Sequence, residues 1–208
     1  MAAPVWRRGR VCGRIGAGLD EELDSPRKCL WESAMINTII VPTDGSEHAN
    51  KAIEMAGEIA MKFGARVVVV QALLQHATAP DLKTICQDIG IEGDVVKEID
   101  ELAEMVARVA ASGYPQGPIP VSPETLRKVG EGIAEKARET LSAMGVQDVK
   151  TQVVDGDPAS SIIAAAEHEK AELVVMGRRG LGNVAGLVMG SVSHKVAHLA
   201  ECACLTVK

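Results

Sequence analysis

Val67, Val68, Val69 and Val70 stand in an unbroken row, and that row constrains the fold more than any other feature of the chain. A strand alternates its side chains between two faces, so four successive valines place apolar groups on both. Such a strand needs cover on each side, the situation of a parallel sheet sandwiched between helices. Ile39–Ile40–Val41 and Leu173–Val174–Val175–Met176 have the same character. Aromatic residues make up 2% of the chain, so the core has to be built from Val, Ile, Leu, Ala and Met.

The pattern between these runs is helical. Ala49, Ile53, Ala56, Ile59, Ala60 and Phe63 recur at helical spacing, and Gly64 suits a helix C-terminus. Helical stretches follow between Asp81 and Ala111, with Val95, Ile99, Leu102, Met105, Val106 and Val109 on one face. Ser112 to Pro120 breaks that pattern. A further helix is expected from about Pro123 to Met144, with Leu126, Val129, Ile133, Ala137 and Leu141 aligned. Val149 to Val154 reads as a third strand. Asp157-Pro158 then opens a helix as N-cap and first residue, with Ala159, Ile162, Ile163 and Ala166 as its apolar face. Leu173–Met176 is the fourth strand, Val192 to Ala200 a helix, and Cys204 to Lys208 a short last strand.

Strands alternating with helices predict an α/β fold, a doubly wound five-stranded parallel sheet of order 3-2-1-4-5 with helices on both faces. In that order the topology switches between strands one and four, and ligands bind outside their carboxyl ends. Pro42-Thr43-Asp44-Gly45-Ser46 ends strand one. Gly177-Arg178-Arg179-Gly180 ends strand four, and Gly190-Ser191-Val192-Ser193 opens the last helix. Gly177 and Gly180 allow backbone amides to approach a phosphate without obstruction. The free amides at Gly190-Ser191, with the Ser191 and Ser193 hydroxyls, suit an anion. Asp44, acceptor-only when ionised, suits ribose hydroxyls or an adenine amino group. Arg178 or Arg179 adds charge near phosphates. Each feature also has a plain structural reading: a tight turn for the glycines, and a helix cap for Asp44 with Ser46. Neither a Walker A loop nor a Rossmann G-x-G-x-x-G is present.

Gly177-x2-Gly180-x9-Gly190-Ser191, with Ile39 to Ser46, resembles the universal stress protein family, specifically its ATP-binding branch. The resemblance covers Met35 to Lys208 and implies an adenine nucleotide alpha hydrolase-like fold. It implies ATP, with Mg2+ as an accompanying ion, and a nucleotide-dependent regulator of stress response; a slow ATP hydrolase and a nucleotide-independent scaffold are the alternatives. By the same resemblance Asp44 contacts ribose or adenine, and Pro42 and Thr43 border the base. Ala72 stands where the family usually places an adenine-contacting Val. Met176 and Gly177 line base and ribose, while Gly180, Gly190, Ser191, Val192 and Ser193 hold phosphates. The family's homodimers imply pairing through the edge Leu205-Thr206-Val207, with a protein partner that the sequence does not name.

Two segments depart from this pattern. Residues 1–34 pass from Arg7, Arg8, Arg10 and Arg14 to an acidic stretch at Asp20–Asp24, fitting neither a secretory signal nor a transit peptide. The expectation is that the natural protein begins at Met35 and that 1–34 are a misassigned start or a disordered arm. Residues 76–123 exceed the family's usual length there and are read as a helical insertion or lid packing on the domain, with a partner surface as the other reading.

The formal charge of −6 argues against broad binding to nucleic acid or anionic membrane. No apolar run of about 18 residues exists to span a membrane. Five cysteines, an odd number without framework spacing, fit reduced thiols in a cytoplasmic protein. Cys202-x-Cys204 reads as a strand edge. His194 and His198 stand four apart on the last helix without a third metal ligand and read as surface or packing residues.

Overall fold

The computed structural model describes residues 36–75, 77–111, 121–182 and 189–208. The expectations for residues 1–34, for a start at Met35 and for a break at Ser112–Pro120 lie outside the described residues. Eleven elements follow one another: β1 (Thr38–Pro42), α1 (Glu47–Phe63), β2 (Arg66–Ala72), α2 (Ala79–Ile89), α3 (Asp94–Ala111), α4 (Pro123–Met144), β3 (Val149–Val154), α5 (Pro158–His168), β4 (Leu173–Gly177), α6 (Ser191–Leu199) and β5 (Ala203–Val207). The strands form one sheet in the order β3-β2-β1-β4-β5, every pairing parallel. This is the doubly wound order expected from the sequence.

The valine row is buried on both faces, as its lack of alternation requires. Ile39, Val41, Val67, Val69, Leu173 and Val175 share one core with α1 and α4. Their neighbours Ile40, Val68, Val70, Val174 and Met176 share the opposite core with α5 and α6. Successive residues of one strand thus feed two separate cores. Helix boundaries follow local chemistry. Ser46, Thr78, Ser122 and Asp157 each accept a bond from an amide of their own first turn.

The described residues 77–111 form two helices, α2 and α3, parted at Gly90–Gly93. A third core joins them to α4: Leu82, Ile85, Cys86 and Ile99 pack against Leu126, Val129 and Ile133. Helices α2 and α3 therefore pack against α4, although α3 buries Ile99 alone and leaves Met105 exposed.

At the amino edge of the sheet, Glu169 ties β2 to β3. Its Oε2 accepts from Arg66 at 2.9 Å, and its Oε1 from Lys150 at 2.6 Å and Gln152 at 2.9 Å. Arg66 Nε also donates to Thr38 Oγ1 at 2.9 Å. The Lys150 ammonium, aided by Arg66 and Gln152 and opposed by burial, holds the Glu169 carboxyl down from 4.5 to about 2. A carboxyl depressed on folding contributes stability above its unfolded pKa and loses it as pH falls through the folded one. Glu169→Gln is therefore expected to be less stable than the parent at neutral pH. The gap should close as pH falls from about 4.5 to about 2, measured by urea denaturation across that range.

Candidate functional site

The site forms where the sheet parts. The β1–β2 register runs through Pro42–Val70, whereas the β1–β4 register runs through Ile39–Leu173 and Ile40–Val174. Thr43 N–H still bonds Val70 O of β2, at 2.9 Å. Successive residues of a central strand direct their backbone groups to opposite neighbours, so Pro42 faces the β4 side. Its missing N–H is harmless there, because that ladder has already ended.

The gap leads into a cavity of about 400 Å3, the size of a small-molecule site. Of the twelve residues expected from the sequence, all but Arg178 line it: Pro42, Thr43, Asp44, Ala72, Met176, Gly177, Gly180, Gly190, Ser191, Val192 and Ser193. Arg179 lines it in place of Arg178. Arg178 instead serves through its backbone, its N–H donating to Val207 O at 2.7 Å and its carbonyl accepting from Gly190 N at 2.9 Å. Those two bonds join the end of β4 to β5 and to the start of α6.

Asp44 bridges the opening. Its Oδ1 accepts from Ser46 N at 3.0 Å and its Oδ2 from Leu181 N at 2.9 Å, across 137 positions of sequence. A Cβ on Gly180 would collide with Asp44 Oδ2. The space at Gly180 is thus required first by the Asp44 carboxylate, not by a ligand. Gly177 likewise admits the start of α1, since a Cβ there would lie 2.8 Å from the carbonyl carbon of His48. Ser193 Oγ donates to Gly177 O at 2.8 Å and anchors α6 to the end of β4.

The two sides of the cavity differ in chemistry. Toward β2, α2 and α5 it is mostly apolar, lined by Ala72, Leu73, Leu74, Ala77 and Ile162 with Met176 of β4, and interrupted by Gln75 and Asp81. Toward β4 and α6 it is backbone, lined by Gly180, Gly182, Gly190 and Ser191. Here α6 differs from α1, α2, α4 and α5: Gly190 is its N-cap and no side chain caps it. Like α5, it carries no acid in its first turn. Its leading amides and the positive end of its dipole are directed at the cavity.

Several lining residues were not anticipated. Pro158 and Ile162 come from the start of α5, which rises from the same sheet edge; the topological rule that found Asp44 also reaches them. Leu74 and Ala77 come from the connection into α2 and Asp81 from its first turn, and no motif marks them. Asp81 also accepts from Thr78 N and Oγ1, closing the capping box of α2.

Among the described residues no cluster of three or more His, Cys, Asp or Glu is placed to hold a metal ion. Burial pushes the Cys202 and Cys204 thiols up, and both pack against the α5–α6 core as the strand-edge reading expects. Among the described residues no helix is long and apolar enough to cross a membrane.

The model of the universal stress protein family matches residues 35–208. The chain belongs to the universal stress protein family. This places it among stress-response proteins. A universal stress protein of Thermus aquaticus is 34% identical over 175 residues, which are 84% of this chain and 100% of that protein. The universal stress protein YxiE of Bacillus subtilis is 29% identical over 174 residues, again 84% of this chain and 100% of its own. A solved universal stress protein from Archaeoglobus fulgidus shares the fold with a TM-score of 0.53 at 18% identity, covering 86% of this chain and 99% of that one. Another, solved in complex with cAMP, has a TM-score of 0.51 at 22% identity, covering 83% and 97%.

The Asp44 bridge makes a direct prediction. Asp44→Ala leaves the Leu181 amide without its acceptor and is expected to lower stability by about 1 kcal/mol, read from urea denaturation midpoints. Gly180→Ala is expected to destabilise as well, because its methyl group displaces the same carboxylate.

Proposed function

We propose that the chain binds ATP in this cleft and acts as a nucleotide-dependent regulator in stress response. The observation that carries the reading is the uncapped start of α6, opening on a cavity whose opposite wall is mostly apolar. Free helix amides suit phosphate, and the apolar wall of Ala72, Leu73 and Met176 suits a purine ring. Asp44 lies between the two sides along the strand order, where a ribose joins base to phosphate. Its carboxylate keeps lone pairs free after accepting from Ser46 and Leu181, enough for a sugar hydroxyl.

The residues fit an adenine nucleotide. Ala72, Leu73, Met176 and Ile162 would take the base, Asp44 the ribose, and Gly180, Gly190, Ser191 and Val192 the phosphates, with Arg179 adding charge. Ser193 contributes its backbone amide, its hydroxyl being directed to Gly177 O. The structural relative in complex with cAMP supports the adenine-nucleotide class. Asp44 is engaged by two amides, which suits an acceptor better than a proton-abstracting base and favours binding over turnover. The proposal extends to a cytoplasmic homodimer paired through β5, where Leu205 is 37% exposed on the outermost strand. Free thiols at Cys86, Cys202 and Cys204 fit a reducing compartment.

Nucleotide released on denaturing the purified protein, together with calorimetric titration of ATP, tests the reading. ATP binding with negligible turnover is expected; rapid metal-dependent turnover would favour a hydrolase, and no binding at millimolar ATP would reject the site. Asp44→Ala is expected to weaken ATP by about 1–3 kcal/mol, the loss of a charge-assisted hydrogen bond. Gly180→Val is expected to abolish binding, because the branched side chain drives Asp44 and the 180–182 backbone apart.

A further inference from the structure

Away from the cleft, α6 carries two imidazoles that the nucleotide reading leaves unused. His194 and His198 are both exposed. Their ring centroids lie 6.4 Å apart, with the planes inclined by 17°. Neither ring makes a hydrogen bond or ion pair among the described residues. The helix beneath them is fixed on its other side by buried Ser193 and Val196. Lys195, the cation between them in sequence, is turned away to Asp157 Oδ2 at 2.9 Å.

Residues four apart on a helix lie on one face, one turn above the other. A histidine pair at that spacing can present two imidazole nitrogens to one ion, as in helical zinc motifs. We propose that His194 and His198 form a two-imidazole chelate for a divalent late first-row transition ion, with water completing its coordination shell. Rotation of the two exposed rings about their side-chain bonds is enough to converge the nitrogens, since the backbone already sets their spacing. Imidazole selects nickel, copper and zinc, whereas magnesium and calcium prefer oxygen ligands. Two protein ligands fall short of the four of a structural zinc site, so the ion is held reversibly and is not needed for folding. A chelate spanning one turn also stiffens α6, whose leading residues line the cleft.

Calorimetric titration of the full chain with Ni2+ tests this independently of any nucleotide. Nickel avoids the thiol oxidation that copper provokes. One Ni2+ per chain is expected to bind more tightly to the parent than to a His194→Gln/His198→Gln double variant, which measures binding elsewhere. Each single variant should lose about tenfold or more in affinity. Ni2+ should raise the thermal midpoint of the parent but not of the double variant. His168→Gln, an exposed histidine on α5, should bind as the parent does. Parent-like Ni2+ affinity in the double variant, or an equal loss in His168→Gln, would overturn the proposal. A failure of ATP to bind would leave it standing.

Discussion

Past Ile40 and Val174 the β1–β4 register ends, and the Asp44 carboxylate takes over the joining of the two halves of the sheet. Helix α1 also packs across the parting, sharing a core with Leu173 and Val175 of β4, so the carboxylate adds a polar link to an apolar one. Asp44 closes the seam at its mouth while leaving the space beneath it open. Gly180 permits the approach, Leu181 supplies the amide, and Ser46 fixes the carboxylate from the other side. The cleft therefore depends on a bond between residues 137 positions apart. The same few atoms serve the architecture and the proposed ribose contact.

Around that seam the energetics are ordinary for the fold class. The central strands bury both faces, and alternate residues feed two independent cores, so the sheet is held from both sides. The polar apparatus is divided by position. Glu169, Arg66 and Lys150 lock the amino edge with charge, whereas the cleft at the carboxyl edge presents backbone amides, small residues and the bridging Asp44, beside one ion pair from Lys195 to Asp157.

Much of this was legible in the sequence, for identifiable reasons. Val67–Val70 reported two-faced burial because a buried parallel strand has no polar side to alternate with. Asp157-Pro158 and Gly64 marked helix ends because cap chemistry is local. The strand order came from the fold class and agrees with the structure, and with it the convergence of Asp44, Gly180 and Gly190. Other features were illegible because they are tertiary. Whether Arg178 or Arg179 enters the cleft depends on how the backbone turns after β4, which residue type does not encode. The role of Gly180 was read as room for a ligand, while its immediate neighbour is Asp44. Leu74, Ala77 and Asp81 line the cavity only because α2 packs beside it, and the surface such a helix covers has no sequence signature.

The packing of α4 has a consequence for how such a chain can vary. One part of this helix, through Ala134, Ala137 and Leu141, belongs to the core beneath the sheet. Another part, through Leu126, Val129 and Ile133, belongs to the core shared with α2 and α3. Ile85 of α2 and Ile133 of α4 both border the turn at Gly45, next to Asp44. The α2–α3 pair is accordingly not a detachable ornament. Excising it would strip an apolar flank from a helix that the sheet cannot release, and would remove one support of the loop that carries the bridging acid. Divergence in α2 and α3 is thus tied to compensating change on α4, so the two segments are expected to drift together rather than apart.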